Sequence, residues 1–426
     1  MEGEQGVRVG LVTCPLFPKL TGDDRLLYRA LVEALQPAAG GERKPAAPTT
    51  GQRAKSRPRA KAPSEDDPTS GPVHIVQWSD PGVDWASFRL CVIRSPWDYT
   101  QRQAEWLAWL DSTVDRTPPT GGGPVFLPDA ATLRWNGHKR YLLDLERRGI
   151  PVVPTRLLER GQDFEKAADE IARKNEWGCE FFIVKPAVGS FGNDVTMIKL
   201  GGRDGDNVKV MKRMNQLLSG QDLLIQPFLA SVKTKGEVSL IFIENEFVHA
   251  IKKKPTQGDF KIERHDATEE ELKLGLVRHP RIHRSHLLPE PVLHRSATSG
   301  TDNEGVEEQS GGEADAVRAD PRPGKARHHQ PAKGKEKTLG GGGGAKEEKR
   351  PPRRTSGGGG SAGGGGDGHA EGRLLLARVD LLRENAGRLV VSEVEALDPE
   401  LFFRLSDACA LRLAQAIVHR RSHPRP

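Results

Sequence analysis

Between Leu374 and Pro399 the sequence reads LLLARVDLLRENAGRLVVSEVEALDP. Two β-forming runs, Leu374–Leu382 and Leu389–Ala396, flank Glu384–Arg388, where Asn385 and Gly387 suit a tight reversal, so the stretch is predicted to be an antiparallel hairpin. Closed by a two- or four-residue loop, it sets Asp380 opposite Glu393 and Arg378 opposite Glu395. Side chains alternate along a strand, which puts these four charged groups on one face and Ala377, Val379, Val394 and Ala396 on the other, core-facing side. Directly opposed carboxylates lie roughly 4.5–5.5 Å apart at Cβ and repel unless positive charge comes between them. Either Arg378 neutralises a solvated face, or a hard divalent cation sits there. Oxygen ligands without His or Cys then point to Mg²⁺ or Mn²⁺.

The remaining chain limits what can be built around such a face. With 47 Gly and 31 Pro in 426 residues and a mean hydropathy of -0.57, part of it lacks the apolar residues for a core. The deficit is local. Pro37–Pro72 and Pro291–Gly372 are of low complexity, the second with runs such as Gly340–Gly344 and Gly363–Gly366, and both are predicted to be disordered insertions. Loop-closure entropy grows only with the logarithm of length, so a fold tolerates them. The four cysteines (Cys14, Cys91, Cys179, Cys409) show no paired or zinc-type spacing, as expected in a reducing compartment. No apolar run is long enough to span a bilayer, and the acidic start lacks the features of a signal peptide, so a cytoplasmic protein without membrane contact is expected. The net charge of +6 is largely carried by the low-complexity stretches, and no specific nucleic-acid partner is expected from it.

Taken in order, Val7–Cys14 and Asp23–Gln36 read as strand and helix, Val73–Trp78 and Arg89–Arg94 as strands, and Gln101–Val114 as a helix. This is an α/β layer of the kind that binds small molecules beyond strand ends. The loop Arg94-Ser95-Pro96-Trp97-Asp98-Tyr99 lies at such an end, and Arg94, Trp97, Asp98 and Tyr99 can grip a zwitterion or simply cover the core. Asp129–Gly149 has a helical pattern with Asn136 as N-cap and Lys139 in the first turn. Glu180–Ala187 reads as a buried strand whose Lys185 is unfavourable to bury unpaired, and the following Gly189, Ser190 and Gly192 form a loop able to aim N–H groups at phosphate. Further strands are expected at Asp222–Leu229, Glu237–Ile243 and Glu246–Ile251, the last leading to Lys252-Lys253-Lys254 and a turn that brings Lys254 and Lys261 to a phosphate or carboxylate. Helices are expected at Asp206–Leu218, Thr268–Leu276 and Glu400–His419.

The stretches RSPWDYTQRQAEWLAWL, WNGHKRYLLDLERRGIPVVPT, IVKPAVGSFG, IQPFLASVKTKGEVSLIFIENEFVHAIKKKPTQGDFK and ARVDLL with SEVEALDPELFF occur in an order that resembles the ATP-grasp ligases. The resemblance is to the branch of prokaryotic glutathione synthetase-like and cycloserine-biosynthesis ureidoserine ligase-like proteins. It implies an α/β (α+β) ATP-grasp fold: an N-terminal α/β domain over 1–128, an ATP-grasp subdomain with a glycine-rich lid over 129–221, and a metal-bearing subdomain over 222–420. It further implies that Lys139 and Lys185 hold ATP phosphates beneath the loop Val188–Asn193. Gln226, Pro227, Phe228 and Leu229 would line the adenine hinge, and Glu237 would bind ribose. Asp380, Glu393 and Glu395 would bind Mg²⁺, and Arg378 would face the transferring phosphoryl group. The implied function is ATP-dependent joining of a carboxylate to an amine on amino-acid or small-peptide substrates, through an acyl phosphate. The alternative is a catalytically inactive ATP-binding module that serves interactions.

Overall fold

The apolar run after Arg8 has no polar face to offer water, and it forms a strand covered on both sides. This strand, β1 (Arg8–Thr13), lies between β2 (Val73–Gln77) and β3 (Phe88–Ser95); β4 (Val125–Leu127) continues the parallel sheet in the order β2-β1-β3-β4. The computed structural model describes residues 8–36, 71–116, 123–174, 177–190, 192, 194–199, 205–256, 260–276 and 374–422. The two low-complexity insertions, apart from Gly71 and Pro72, fall outside these. Helix α1 (Asp24–Leu35) buries Leu27, Ala30 and Leu31. Helix α2 (Gln103–Trp109) runs into a π-helical turn, Leu110–Val114, and sets Trp106 and Trp109 edge-on to Trp78 at 5.3 and 6.1 Å between ring centroids.

Two short helices then replace the single pattern expected over Asp129–Gly149: α3 (Ala130–Asn136) and α4 (Tyr141–Arg147). Asp129 caps α3, its carboxylate accepting from the Thr132 N–H at 2.7 Å, whereas Asn136, expected to cap the helix of Tyr141–Leu145, ends α3, and α4 has Arg140 at its N-cap position with no side-chain cap. A second, antiparallel sheet contains β5 (Arg156–Leu158), β6 (Phe181–Pro186), β7 (Thr196–Lys199) and β8 (Leu223–Pro227) in the order β5-β8-β6-β7. Helices α5 (Phe164–Lys174) and α6 (Gly205–Gly220) cover one of its faces, with Phe164, Ile171, Met214 and Leu218 packed on Phe182, Val184 and Ile198. Alternation therefore turns Lys185 to the opposite face.

A third sheet follows the short helix α7 (Ser231–Thr234). It comprises β9 (Glu237–Ile243), β10 (Glu246–Pro255), β11 (Phe260–His265), β12 (Leu376–Arg383) and β13 (Leu389–Glu395), antiparallel in the order β11-β10-β9-β12-β13. Part of one face, Ile241, Ile243 and Ile251, packs on α1 and on the C-terminal helix; the other, with Leu240, Phe242, Val379 and Val394, packs on Tyr141, Leu142 and Leu145 of α4. Helix α8 (Glu269–Leu276) lies close enough that a Cβ on Gly275 would meet Leu240. The C-terminal helix α9 (Asp407–Ser422) starts seven residues after the expected Glu400. Leu401, Phe402 and Phe403 are drawn into the core instead, with Phe402 at φ +53°, and the Asp23 carboxylate accepts from the N–H groups of Phe403 and Arg404 at 2.8 and 3.1 Å.

Candidate active site

β12 and β13 pair with Arg378 opposite Glu395 and Asp380 opposite Glu393, the register expected from the sequence, though the route to it differs. The loop is five residues, Glu384–Arg388, with Gly387 at φ +90°, where a Cβ is disfavoured. On β13 a bulge compensates: Leu381 pairs with Val391, so Ser392 has no opposite residue. Val391 and Val394 face the apolar cluster, while Ser392 and Glu393 between them serve the charged face, where Ser392 Oγ donates to Glu237 Oε2 at 3.3 Å. One carboxylate oxygen each from Asp380, Glu393 and Glu395 lies within 4.8 Å of the others. The strand carrying two of them is clamped by Asn136, whose amide donates to the Val394 carbonyl (2.7 Å) and accepts from the N–H groups of Ala396 (2.7 Å) and Leu397 (2.9 Å).

Four cations converge on these acids. Arg378 donates to Asp380 through Nε and Nη2, both at 2.9 Å, and to Glu395 at 2.5 Å. Lys139, just before α4, bonds Glu393 at 2.7 Å and the carbonyl of Gly189 at 2.8 Å, joining the acidic face to the glycine loop. Lys253 bridges Glu237 (2.5 Å) and Asp380 (3.2 Å). Lys185 faces the same group and makes no hydrogen bond or ion pair among the described residues.

Burial opposes every one of these charges, and the pairing decides which survive. Arg378 and Lys253 outweigh burial at Asp380 and hold its carboxyl well below the usual range. Glu393 is lowered against burial by Lys139 and Lys185, and Lys139 is raised in return, chiefly through Glu393. Burial, reinforced by Glu393, Asp380 and Asp398 and opposed by Arg378, pushes Glu395 up to about 8. Burial and the nearby charge of Glu393 push Asp398 up to about 6, against Lys139, Arg378 and Arg94. Lys185 is lowered by burial, reinforced by Lys139 and opposed by Glu393, Glu237 and Asp380.

Other expected residues are placed differently. Arg94 is buried and spent on Asp24 (2.8 and 2.9 Å) and the Pro399 carbonyl (3.0 Å); Asp98 accepts from Trp78 Nε1 (2.7 Å) and Arg102 (3.0 Å). Both charges are ion-paired within the fold, and Arg94 Nη1 is buried without a hydrogen-bond partner among the described residues. Trp97 donates to the Asp398 carbonyl at 3.3 Å, and Tyr99 is buried with its hydroxyl in the field of Asp398, Glu395 and Glu393. Lys254 and Lys261 face each other across β10 and β11, with Lys261 paired to Glu263 at 2.7 Å and exposed. They are not brought into the cluster; Lys253 is. In an unbulged β9–β10 hairpin Glu237 pairs with Lys252, which sends Lys254 to the same face. The register shift between Phe247 and His249 pairs Glu237 with Lys253 instead. Gln226 is buried and donates to Thr155 Oγ1 at 2.8 Å, Pro227 ends β8, the Phe228 N–H donates to the Phe181 carbonyl at 2.9 Å, and Leu229 packs on Val153 and Val390. Ser190 is partly exposed, Gly192 has φ +67°, and Phe191 and Asn193 lie outside the described residues. Asp398 carries no signal in a reading that makes it a helix start; only the late start of α9 leaves it beside the cluster.

The described residues thus combine a parallel α/β sheet, two antiparallel sheets and a facing set of carboxylates and cations. Residues 70–119 match the family model described as D-cycloserine synthetase DcsG, N-terminal domain. Over 180 residues the chain is 33% identical to the cycloserine biosynthesis protein DcsG of Streptomyces lavendulae; the match takes in 42% of this chain and 56% of that protein, so the chain spans just over half the length of this relative. The crystal structure of D-cycloserine synthetase DcsG is similar in fold, with a TM-score of 0.60 at 21% identity, covering 97% of this chain and 99% of that one. A RimK domain ATP-grasp protein from Sphaerobacter thermophilus gives a TM-score of 0.48 at 15% identity over 97% and 98% of the two chains. Among the described residues no helix is long and apolar enough to cross a membrane.

Proposed function

We propose that the chain is an ADP-forming carboxylate–amine ligase that uses ATP and a divalent cation, Mg²⁺ or Mn²⁺, on amino-acid or small-peptide substrates. The observation that carries this reading is the convergence of Asp380, Glu393 and Glu395 with Lys139, Lys185 and Arg378. All three acids offer hard oxygen donors, which fits Mg²⁺ or Mn²⁺ and excludes nothing else about the reaction. With Glu395 pushed up to about 8 and so largely protonated near neutral pH, Lys139, Lys185, Lys253 and Arg378 balance Glu237, Asp380, Glu393 and Asp398. A triphosphate brings negative charge that bound metal ions would offset, and Lys185, which makes no hydrogen bond or ion pair among the described residues, is a cation available to it.

In this reading Lys139 and Lys185 hold phosphate oxygens, with the loop around Gly189 and Ser190 closing over them and the segment Gln226–Leu229 receiving the base. Asp380, Glu393 and Glu395 would hold the metal ions, which would supply positive charge to the phosphates. Arg378 orients the transferring phosphoryl group as a substrate carboxylate oxygen attacks phosphorus and ADP leaves. The amine nitrogen, having lost its ammonium proton to solvent, then attacks the acyl phosphate carbon; the C–N bond forms, inorganic phosphate departs with the C–O electron pair, and the nitrogen sheds a second proton to solvent. The protein contributes position and charge rather than a covalent nucleophile. The test is ADP release across a panel of amino acids and γ-glutamyl compounds with Mg²⁺. Stimulated release, lost in Glu393→Gln, supports the ligase; nucleotide binding without any stimulated release overturns it.

A further inference from the structure

The segment between β13 and α9 is held by three successive carbonyls. Asp398 O accepts from Trp97 Nε1 (3.3 Å), Pro399 O from Arg94 Nη2 (3.0 Å) and Glu400 O from Arg378 Nη1 (3.3 Å). The backbone of Asp398 is thereby fixed between the loop after β3 and the charged hairpin. Its carboxylate is not engaged: partly buried, it makes no hydrogen bond or ion pair among the described residues. It lies in the field of Lys139, Arg378 and Arg94, but Lys139 is bonded to Glu393, Arg378 to Asp380 and Glu395, and Arg94 to Asp24. Nor is Asp398 one of the acids whose oxygens gather within 4.8 Å, so a metal ion held by that group does not supply its partner. A carboxylate partly drawn from water with no hydrogen bond or ion pair of its own is unfavourable, and a cation from outside the chain would satisfy it.

A second side chain borders the same place. Tyr99 is 6% exposed, its ring lies 5.5 Å from that of Trp106, and its hydroxyl has no partner among the described residues while standing in the field of Asp398, Glu395 and Glu393.

We propose that Asp398, with the Tyr99 hydroxyl beside it, recognises the ammonium group of the amino-acid substrate. The assignment rests on the ligase reading, in which the attacking nitrogen has to be delivered to within about 3–3.5 Å of the acyl carbon. An ammonium held at Asp398 waits beside Arg378 and the metal-side acids, where that carbon is activated.

The test uses the full chain loaded with Mg²⁺ and a non-hydrolysable ATP analogue. Calorimetry measures binding of a panel of amino acids and of the hydroxy acids that carry oxygen in place of each amino nitrogen. At least one amino acid binds, its hydroxy acid binds about tenfold more weakly or worse, and Asp398→Asn removes that preference while nucleotide affinity is retained. Tyr99→Phe weakens the amino acid by a smaller factor. Equal affinities for amino and hydroxy acids, unchanged amino-acid affinity in Asp398→Asn, or no amino acid bound by the wild type each overturns the proposal. Should Asp398→Asn lose nucleotide binding, Tyr99→Phe and the charge-retaining Asp398→Glu decide: the preference falls in the first and persists in the second, or the proposal fails. ADP release is read in parallel. Binding that depends on Asp398 without ADP formation refutes the ligase alone, and ADP formation indifferent to Asp398 refutes this recognition alone.

Discussion

The Lys139 ammonium lies 2.7 Å from a carboxylate oxygen of Glu393, and the same ammonium bonds the carbonyl of Gly189. One side chain thus ties a candidate metal ligand to the glycine loop that is read as a lid. Phosphate and metal arriving together would part the pair, each taking one member. Glu393→Gln keeps the shape but removes a metal oxygen and the anion facing Lys139. We expect ADP formation to fall on the order of 10²–10³-fold, as when one preorganised charge is removed from a transfer site. Steady-state assays across a Mg²⁺ titration check this, and a variant within threefold of wild type would remove Glu393 from the chemistry.

Lys253, not Lys254 or Lys261, bridges Glu237 and Asp380. Lys253→Met leaves Glu237 without its ion-paired cation and Asp380 with Arg378 alone, so kcat/KM for MgATP should drop by about 10–100-fold. Lys254→Ala and Lys261→Ala lie outside the cluster and should stay near the wild-type value. The three variants assayed side by side separate the faces of β10.

Asn136 satisfies one carbonyl and two N–H groups on the segment that carries Glu393 and Glu395. Asn136→Ala strands all three in a buried setting, a loss on the order of 3 kcal/mol in urea unfolding. The Mg²⁺ concentration needed for half-maximal activity should rise as well. Asn136→Asp, which keeps the acceptor but not the donor, should fall between. Stability within about 0.5 kcal/mol of wild type for the Ala variant would contradict the clamp.

His249 is buried, with Nε2 2.9 Å from the Leu401 carbonyl and Nδ1 unpartnered among the described residues. Burial holds its pKa below the ordinary value, against the pull of that carbonyl. The unfolded chain therefore takes up the proton more readily. The contribution of His249 to stability is whole above the ordinary imidazole pKa of about 6.5 and is lost as pH falls through the lower folded-state value. Urea midpoints at pH 7.5 and pH 5 should drop further in wild type than in His249→Gln. Equal drops would assign the acid sensitivity elsewhere.

Much of the architecture was legible where periodicity is strong: the buried run at β1, the helix at Asp24–Leu35, and the hairpin that opposes Asp380 to Glu393. Legibility failed where one residue changes the face. The bulge at Ser392 hid the five-residue loop, and the shift near Val248 exchanged Lys254 for Lys253. A period of two has no memory of an inserted residue, so the pairs on one side of a bulge are misread: those beside the loop in the β12–β13 hairpin, and those toward Glu237 in the β9–β10 hairpin. Asn136 was misread as a cap for a related reason. Its residue type suits a helix start, and its actual partners belong to a strand remote in sequence.

By itself the sequence determined which segments have apolar content for a core, which alternations make strands, and that three acids and an arginine share one face. Those are local properties, set by neighbours a few positions away. Only the tertiary structure decided that Lys139, Lys185 and Lys253 meet that face, that Arg94 and Asp98 are ion-paired inside the fold, and that the Asp398 carboxylate makes no hydrogen bond or ion pair among the described residues. Charge pairing depends on distance in space, and the partners here come from separate sheets whose approach is fixed by packing rather than by any pattern along the chain.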